Sequence, residues 1–316
     1  MRGTNKMNSQ VELSIIIVSF NVRDYLLACV ASIKKNTAGI AYEIIIVDNN
    51  SSDNSADAVI EAYPDVKLIR NTGNPGFARA NNQAFEMSRG EFLLLLNPDT
   101  EVKPGAIERV LEFIKNEKTA AIAGCRNVGS DGSLQKSITR FPGVIRNLAQ
   151  AFFIDRLFFP ERKQATYYRP APFKADSVGG AFMMVRRVAL NGEQLLNTDY
   201  FMYSEEKDLA LRLKRAGWET WFLPTVEIIH HGGKSTSSMP EKMFLEVQKS
   251  QAMFYLNFHS NIHALALCAS WWLVLITHSF ASLFLCFTNS GRKKFVLFSR
   301  TVPAFPVYTL QTIIKK

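Results

Sequence analysis

Leu93-Leu94-Leu95-Leu96-Asn97-Pro98-Asp99-Thr100 limits what this chain can fold into more than any other stretch. Four consecutive leucines suit a strand buried on both faces, the condition of a parallel sheet covered by helices. Asn97-Pro98 ends that strand, because proline has no N–H to give a ladder. The carboxylate of Asp99 therefore arrives just past the strand's carboxyl end, where open α/β sheets place their ligand crevice. An aspartate there serves equally as a turn or capping residue, so its meaning depends on what the other strands deliver beside it.

Leu13 to Val18 reads as a first buried strand, followed by Ser19-Phe20-Asn21, with Asn21 placed to cap a helix over Val22 to Lys35. In that helix Leu26, Val30 and Ile33 share a face. A second strand, Glu43 to Val47, runs into Asp48-Asn49-Asn50-Ser51-Ser52-Asp53. A short helix near Ala56 to Tyr63, a strand at Val66 to Ile69 and a helix near Phe77 to Ser88 precede the leucine strand. This alternation predicts βαβ units: an α/β fold, a mostly parallel sheet with helices on both faces. Every strand end is polar, small or glycine-bearing, including Asn71-Thr72-Gly73-Asn74-Pro75-Gly76. Set side by side, such ends form one crevice rich in hydrogen-bonding groups, although hydrophilic loops alone would look the same. No GxGxxG follows the first strand and no GxxxxGK[ST] occurs, which argues against dinucleotide and P-loop sites. A nucleotide bound here would be held through its base and ribose by carboxylates and amides, with a cation at its phosphates.

Composition bounds the partners. The 316 residues are 47% apolar and 21% charged, globular values, and carry a formal charge of +9. That charge suits nucleoside diphosphates, anionic lipid headgroups or nucleic acid, and alone chooses none of them. Cys29, Cys125, Cys268 and Cys286 have neither CxxC nor metal spacing, so free thiols in a reducing compartment are expected. Met1 to Gln10 is polar, with no apolar core of a secretory signal visible, so any catalytic part is expected to stay in the cytosol.

Pro104 sits where a first-turn proline opens a helix to about Asn116, and Ala120 to Gly124 reads as a short strand. From Asn127 to Lys174 the pattern loosens into turns and an aromatic, basic stretch from Phe141 through Phe158-Phe159-Pro160. A segment of that kind serves acceptor recognition or is a surface loop packed by its own phenylalanines. Gly179-Gly180 precede an apolar strand and permit a tight bend or close approach of backbone to a ligand. Ser204 to Gly217 is a helix by local signals: Ser204 as cap, acids first, bases late, glycine at the stop. Glu205, Glu206 and Asp208 there complement the helix dipole, with Asp208 in reach of Arg212, or one of them is a catalytic carboxylate at a cleft edge. Two short strands follow, Trp218 to Leu223 and Val226 to Ile229, the second ending in His230-His231-Gly232-Gly233-Lys234-Ser235. His230 is a metal ligand as neutral imidazole, with Asp99, or an ordinary polar residue.

Taken in order, Ser14 to Asn21, Val47 to Asp53, Asn74-Pro75-Gly76-Phe77-Ala78-Arg79-Ala80-Asn81-Asn82, Asn97-Pro98-Asp99, Gly179-Gly180-Ala181, Glu205-Glu206-Lys207-Asp208-Leu209 and His230-His231-Gly232-Gly233 resemble family 2 glycosyltransferases, in their rhamnosyltransferase-like branch. The resemblance covers about residues 12 to 238 and rests on joint order. It implies a GT-A (Rossmann-like) fold, a nucleotide-sugar donor, a divalent cation (Mg2+ or Mn2+) and inversion at the sugar carbon. It places Asp48 at the nucleobase, with Asn49, Asp53, Asn81 and Asn97 also on the donor, and Gly179, Gly180 and Glu205 on the acceptor side. Asp99 matches the metal-binding acid, His230 the later histidine beside the cation, and Glu206 the general base. Asn97 stands where the family's first metal carboxylate is usual, and Glu206 where aspartate is commoner. The implied reaction moves a sugar, L-rhamnose from its dTDP donor, onto a lipid-linked cell-surface glycan. The rivals are a UDP-hexose-dependent transferase of the same fold, a non-catalytic nucleotide- or glycan-binding membrane protein, and a two-carboxylate hydrolase.

Ile262 to Phe287 is apolar for about 26 residues and includes Trp271-Trp272, enough to span a hydrocarbon core. Arg292-Lys293-Lys294 and Lys315-Lys316 argue for a cytosolic tail, as the catalytic part does for a cytosolic start. One simple span cannot satisfy both. The expectation is a re-entrant or interfacial helix, or two passes with Phe295 to Ile314 returning, on the cytoplasmic face of the inner or plasma membrane; a buried core or dimer helix is the alternative. The expected organisation is a polar extension over residues 1–11, a transferase domain over 12–238 and a helical membrane-associated segment over 239–316, with no nucleic-acid partner.

Overall fold

In the computed structural model, residues 11–155, 164–233, 240–284 and 288–314 are described. The polar residues 1–10, Phe158-Phe159-Pro160, Lys234-Ser235, Cys286 and Lys315-Lys316 fall outside them. The chain divides into two units: residues 1–140, 167–199 and 205–235 form the first, residues 141–166, 200–204 and 236–316 the second. The division is discontinuous, with two inner segments grouped with the C-terminal helices.

The first unit is built on a mixed sheet of nine strands, mostly parallel. β1 (Leu13–Ser19), β2 (Tyr42–Asp48), β3 (Lys67–Arg70) and β4 (Phe92–Leu96) pair in parallel in the order β3-β2-β1-β4. β1 and β4 are buried along their whole length, as the Ile15-to-Val18 and Phe92-to-Leu96 apolar runs require. α1 (Arg23–Asn36), α2 (Ser55–Ala62) and α3 (Phe77–Met87) make the connections. After β5 (Thr100–Val102), α4 (Ala106–Asn116) leads into β6 (Ala120–Val128). Pro104 lies in the turn before α4, whose cap is Gly105 at φ +70°, so the proline precedes the helix instead of opening it.

The other half departs from simple alternation. β7 (Ile138–Thr139) and β9 (Ser177–Val178) form a separate ribbon, and β8 (Phe173–Ala175) pairs with β11. β10 (Phe182–Arg186) runs antiparallel between β4 and β6. The two strands expected near 218–229 are one, β11 (Glu219–His230), which pairs in parallel with β6 across an irregularity between Leu223 and Glu227 where Pro224 interrupts the ladder. β11 also pairs antiparallel with β5. The leucine and isoleucine side chains of β1, β2 and β4, with those of α1 and α4, form the core.

The second unit is helical: α5 (Val144–Ala151), and, after α6 (Glu205–Arg215) of the first unit, α7 (Pro240–Phe258), α8 (Asn261–Leu283) and α9 (Asn289–Ile314). α8 packs against α5, α7 and α9. It is the one helix long and apolar enough to cross a membrane among the described residues. Neither α5 nor α7 was legible in the sequence pattern. Cys29, Cys125 and Cys268 are buried free thiols, as expected.

Candidate active site

Because β10 is antiparallel to both β4 and β6, the strands β1 to β4, β6 and β11 all run the same way, and their carboxyl ends share one edge. The register sets Ser19 beside Asp48 and Asp48 beside Arg70. Asp48 is buried; its Oδ2 accepts from the Ser51 N–H at 2.9 Å, and its Oδ1 is a buried acceptor with no partner. Asn49 is fixed by an amide network: its Oδ1 accepts from Asn71 Nδ2 at 2.9 Å, and Asn71 also exchanges bonds with Gln83. Asn81 is buried, its Nδ2 donating to the Phe77 carbonyl at 2.8 Å.

Asp53 has a structural task. Its Oδ2 accepts from the Arg23 N–H at 2.8 Å and its Oδ1 from the Ser55 N–H at 3.1 Å, so one carboxylate closes the starts of α1 and α2. Burial would raise this carboxyl, but the bonds from Ser55 and Arg23 outweigh it and hold it below its ordinary value. Asn21, expected to cap α1, instead takes a left-handed φ of +54°, and its Oδ1 accepts from the Ser52 N–H at 2.7 Å. The two loops are thus tied to each other, with Asp53 doing the capping.

Asp99 and His230 are brought together by the pairing of β5 with β11. Thr100 opens β5 opposite His230, and the His231 N–H donates to the Asp99 carbonyl at 2.8 Å. His230 Nε2 then lies 3.4 Å from Asp99 Oδ1, both side chains largely buried. On the other side of the ring stands Gln135, which sequence reasoning missed. Its Nε2 donates to the His230 carbonyl at 2.7 Å, so its Oε1 is the atom 2.6 Å from Nδ1. An amide oxygen only accepts, so Nδ1 carries the hydrogen and, in the neutral ring, Nε2 presents a lone pair. That Nε2 is buried and has no hydrogen-bond partner. An oriented imidazole lone pair beside a buried carboxylate fits a cation ligand pair held by an outer-shell amide. Among the described residues no group of three or more His, Cys, Asp or Glu side chains converges, so a cation here would take its remaining ligands from bound oxygens.

The glycine turn links this corner to the acidic helix. The Asn97 N–H donates to the Ala181 carbonyl at 3.1 Å, the Gly179 N–H to Ser137 at 2.9 Å, and the Gly180 N–H to Glu206 Oε1 at 3.3 Å. A Cβ on Gly180 would sit 3.2 Å from that same oxygen, so the missing side chain is what lets Glu206 lie against the turn. Glu206 is half-buried in the first turn of α6, where the helix dipole favours its charge. Ser204 does not cap α6 in the usual extended conformation: Tyr203 and Ser204 enter the helix at φ +70° and +68°. Two consecutive non-glycine residues in that region mark a strained entry at the acidic turn.

Glu205 is fully enclosed, its Oε2 without a partner. Burial first, then the neighbouring Glu206 carboxylate, pushes its carboxyl well above the ordinary value. Burial pulls the adjacent Lys207 ammonium down to about 8 against the opposing pull of Glu206. Asp208 follows its structural reading: Oδ1 accepts from Arg212 Nε at 2.9 Å.

The sheet thus carries a carboxylate–imidazole pair at one strand end, and a further carboxylate at a helix start is hydrogen-bonded to the turn beside that strand. The profile of glycosyl transferase family 2 matches residues 14–192, more than half of the chain, and the chain belongs to that family. Its relatives include rhamnosyltransferases. The N-acetylglucosaminyl-diphospho-decaprenol L-rhamnosyltransferase of Mycobacterium tuberculosis is 28% identical over 264 residues, 78% of this chain and 85% of its own. The rhamnosyltransferase WbbL of Escherichia coli K12 is 28% identical over 243 residues, 73% of this chain and 87% of its own. Among solved structures, the mannosyltransferase PcManGT from Pyrobaculum calidifontis, in complex with GDP-Man and Mn2+, superposes with a TM-score of 0.60 at 14% identity, over 95% of this chain and 87% of that one. This likeness shows the GT-A fold.

Proposed function

We propose that the chain is an inverting sugar transferase that moves L-rhamnose from dTDP-L-rhamnose onto a lipid-linked glycan at the cytoplasmic face of a membrane. The observation that carries the reading is the hydrogen-bonded path from Asp99 and Asn97 through Ala181 and Gly180 to Glu206, with His230 beside Asp99. Two hydrogen bonds across three chain segments would in this way hold the strand end that faces the donor diphosphate in register with the base. Asp48, with its unpartnered buried oxygen, is the acceptor for a nucleobase N–H, and Asn49 and Asn81 shape the wall beside it.

Asp99 Oδ1 and His230 Nε2 would hold the divalent cation, whose charge stabilises the departing nucleoside diphosphate. Glu206 takes the proton from the acceptor hydroxyl as its oxygen attacks the anomeric carbon from the face opposite the leaving group. One displacement of this kind inverts the carbon without a covalent sugar–enzyme intermediate. The rhamnosyl donor and the lipid-linked acceptor are supported by the two rhamnosyltransferase relatives, one of which is named for a decaprenol diphosphate substrate.

The test is a donor panel, dTDP-L-rhamnose against UDP-hexoses, read as nucleotide release with and without acceptor and chelator. The reading expects acceptor-dependent release from dTDP-L-rhamnose alone, lost with chelator and restored by Mn2+ or Mg2+. Release from a UDP-hexose instead reassigns the donor, and release with water alone makes the chain a hydrolase. Glu206→Gln should abolish transfer and leave donor binding nearly intact; wild-type turnover removes it as the base.

A further inference from the structure

The helical second unit leaves a broad apolar surface bare. On α8 the residues Ile262, Leu265, Trp272, Ile276, Phe280 and Leu283 recur at helical spacing, and all are exposed, Ile262 at 85% and Phe280 at 61%. The stripe runs the length of the helix, about 31 Å at 1.5 Å per residue. Val307, Leu310 and Ile314 on the carboxyl half of α9 are exposed too, as are Phe152, Phe153 and Ile154 after α5. Phe153 adopts φ +59°, a conformation rare for a bulky residue, and stacks on His278 of α8 at 4.6 Å while more than half of it stays exposed. An exposed apolar stripe of this length marks an interaction site.

The opposite face of α8 excludes a simple span. At its midpoint Ser270 Oγ accepts from Asn147 Nδ2 of α5 at 2.9 Å, and Trp271 Nε1 donates to Gln248 Oε1 of α7 at 2.8 Å. Lys249, next to Gln248, pairs with Glu246 at 3.5 Å. Were α8 to cross a bilayer, this polar and charged layer would sit near the hydrocarbon centre, where such groups are heavily penalised. Laid along the surface, only the apolar stripe enters the lipid.

The charges choose lipid over a second copy. Arg292, Lys293 and Lys294 are exposed at the start of α9, and Arg300 two turns on. The acids among the described side chains of this unit are Asp155, which is buried, and Glu246, which is paired. A basic rim beside an apolar, aromatic stripe suits an anionic headgroup layer, whereas two copies meeting on this face would bring like charges together.

We infer that α8 lies in the plane of an anionic bilayer, its Ile262-to-Leu283 stripe in the acyl boundary and the Arg292–Lys294 rim on the headgroups. This rests on the proposed membrane-carried acceptor. The experiment is sedimentation of the full chain with phosphatidylcholine vesicles with and without phosphatidylglycerol, with alkaline carbonate extraction of cell membranes. The expected result is binding at least tenfold tighter to the anionic vesicles, release by carbonate, and loss of binding in L265D/F280D. R292E/K293E/K294E should lose the anionic preference alone, while both variants keep the wild-type melting temperature. Retention through carbonate overturns the in-plane placement and leaves the membrane reading standing. A protein that binds neither vesicle overturns both, and one that dimerises through L265D/F280D-sensitive contacts without lipid assigns the stripe to a second copy.

Discussion

Gln135→Leu isolates the amide behind His230. The substitution keeps similar volume and removes both bonds to that residue, Oε1 to Nδ1 at 2.6 Å and Nε2 to the backbone carbonyl at 2.7 Å. Without the acceptor at Nδ1 the ring is free to rotate and to place its hydrogen on Nε2, the atom 3.4 Å from Asp99. Loss of such an outer-shell partner costs roughly 10- to 100-fold in metal affinity, on the order of 1.4–2.7 kcal/mol. The assay is a Mn2+ titration of turnover at saturating donor and acceptor. The half-saturating concentration should move up by that factor, with the rate at saturating Mn2+ within about threefold of wild type, since neither Glu206 nor its Gly180 contact is touched. Nitrogen-15 spectra of the cation-free protein should show His230 hydrogenated at Nδ1 in the wild type and not fixed there in the variant. Gln135→Glu, which still accepts from Nδ1, should retain that tautomer. An unchanged Mn2+ requirement in Gln135→Leu, with an unchanged tautomer, would refute the reasoning.

Gly180→Ala places a methyl 3.2 Å from Glu206 Oε1 at a backbone φ open to alanine, so the carboxylate must yield by a few tenths of an ångström; turnover should fall about tenfold with donor KM unchanged, and equal losses in both would assign the turn to donor binding. Glu205 carries a carboxyl raised by burial and by Glu206, so the folded chain holds a proton that the unfolded chain releases above about 4.5. Stability should therefore fall as pH rises from that value toward the raised one, and Glu205→Gln should flatten the fall in urea titrations across that window and raise the midpoint at neutral pH. Gly90→Ala drives a methyl to 2.5 Å from the Ser14 nitrogen and 2.7 Å from the Phe92 oxygen, backbone atoms that cannot turn aside; a loss of about 3 kcal/mol in chemical denaturation is expected. Gly73→Ala, with nothing within 4 Å, should be silent in the same measurement.

The parts of this fold visible in the sequence are those dictated by contiguous residues. The isoleucine and leucine runs of β1, β2 and β4 can be satisfied only inside a covered sheet, and the acids and bases of α6 mark its two ends. What stayed hidden was set by pairing over long separations. Phe182-Met183-Met184-Val185-Arg186 is equally apolar whichever way it runs, so its antiparallel insertion between β4 and β6 leaves no mark in the chain. α5 is hidden for a related reason: its buried Asn147 reads as a polar loop residue until Tyr255 and Ser270, more than a hundred positions on, supply its partners.

The candidate site divides along the same line. Asp99, His230 and Glu206 are each delivered by a local signal, a strand end or a helix start. Asp99 meets His230 through the pairing of β5 with β11, and Glu206 meets Gly180 at the glycine turn of β10 entering beside β4, both non-local events. Gln135 had no signal at all, since a glutamine in a turn-rich segment has no local reason to face a histidine 95 residues away. Asn21 and Asp53 show the converse error: each side chain satisfies the local rule for a cap, and only the closeness of the β1 and β2 ends decides which one caps α1. Local pattern thus nominates groups with the right chemistry, and sheet order decides which of them meet. A test of the proposed reaction therefore has to perturb the junctions, Gly180 and Gln135, as well as the Glu206 carboxylate and His230 imidazole that they position.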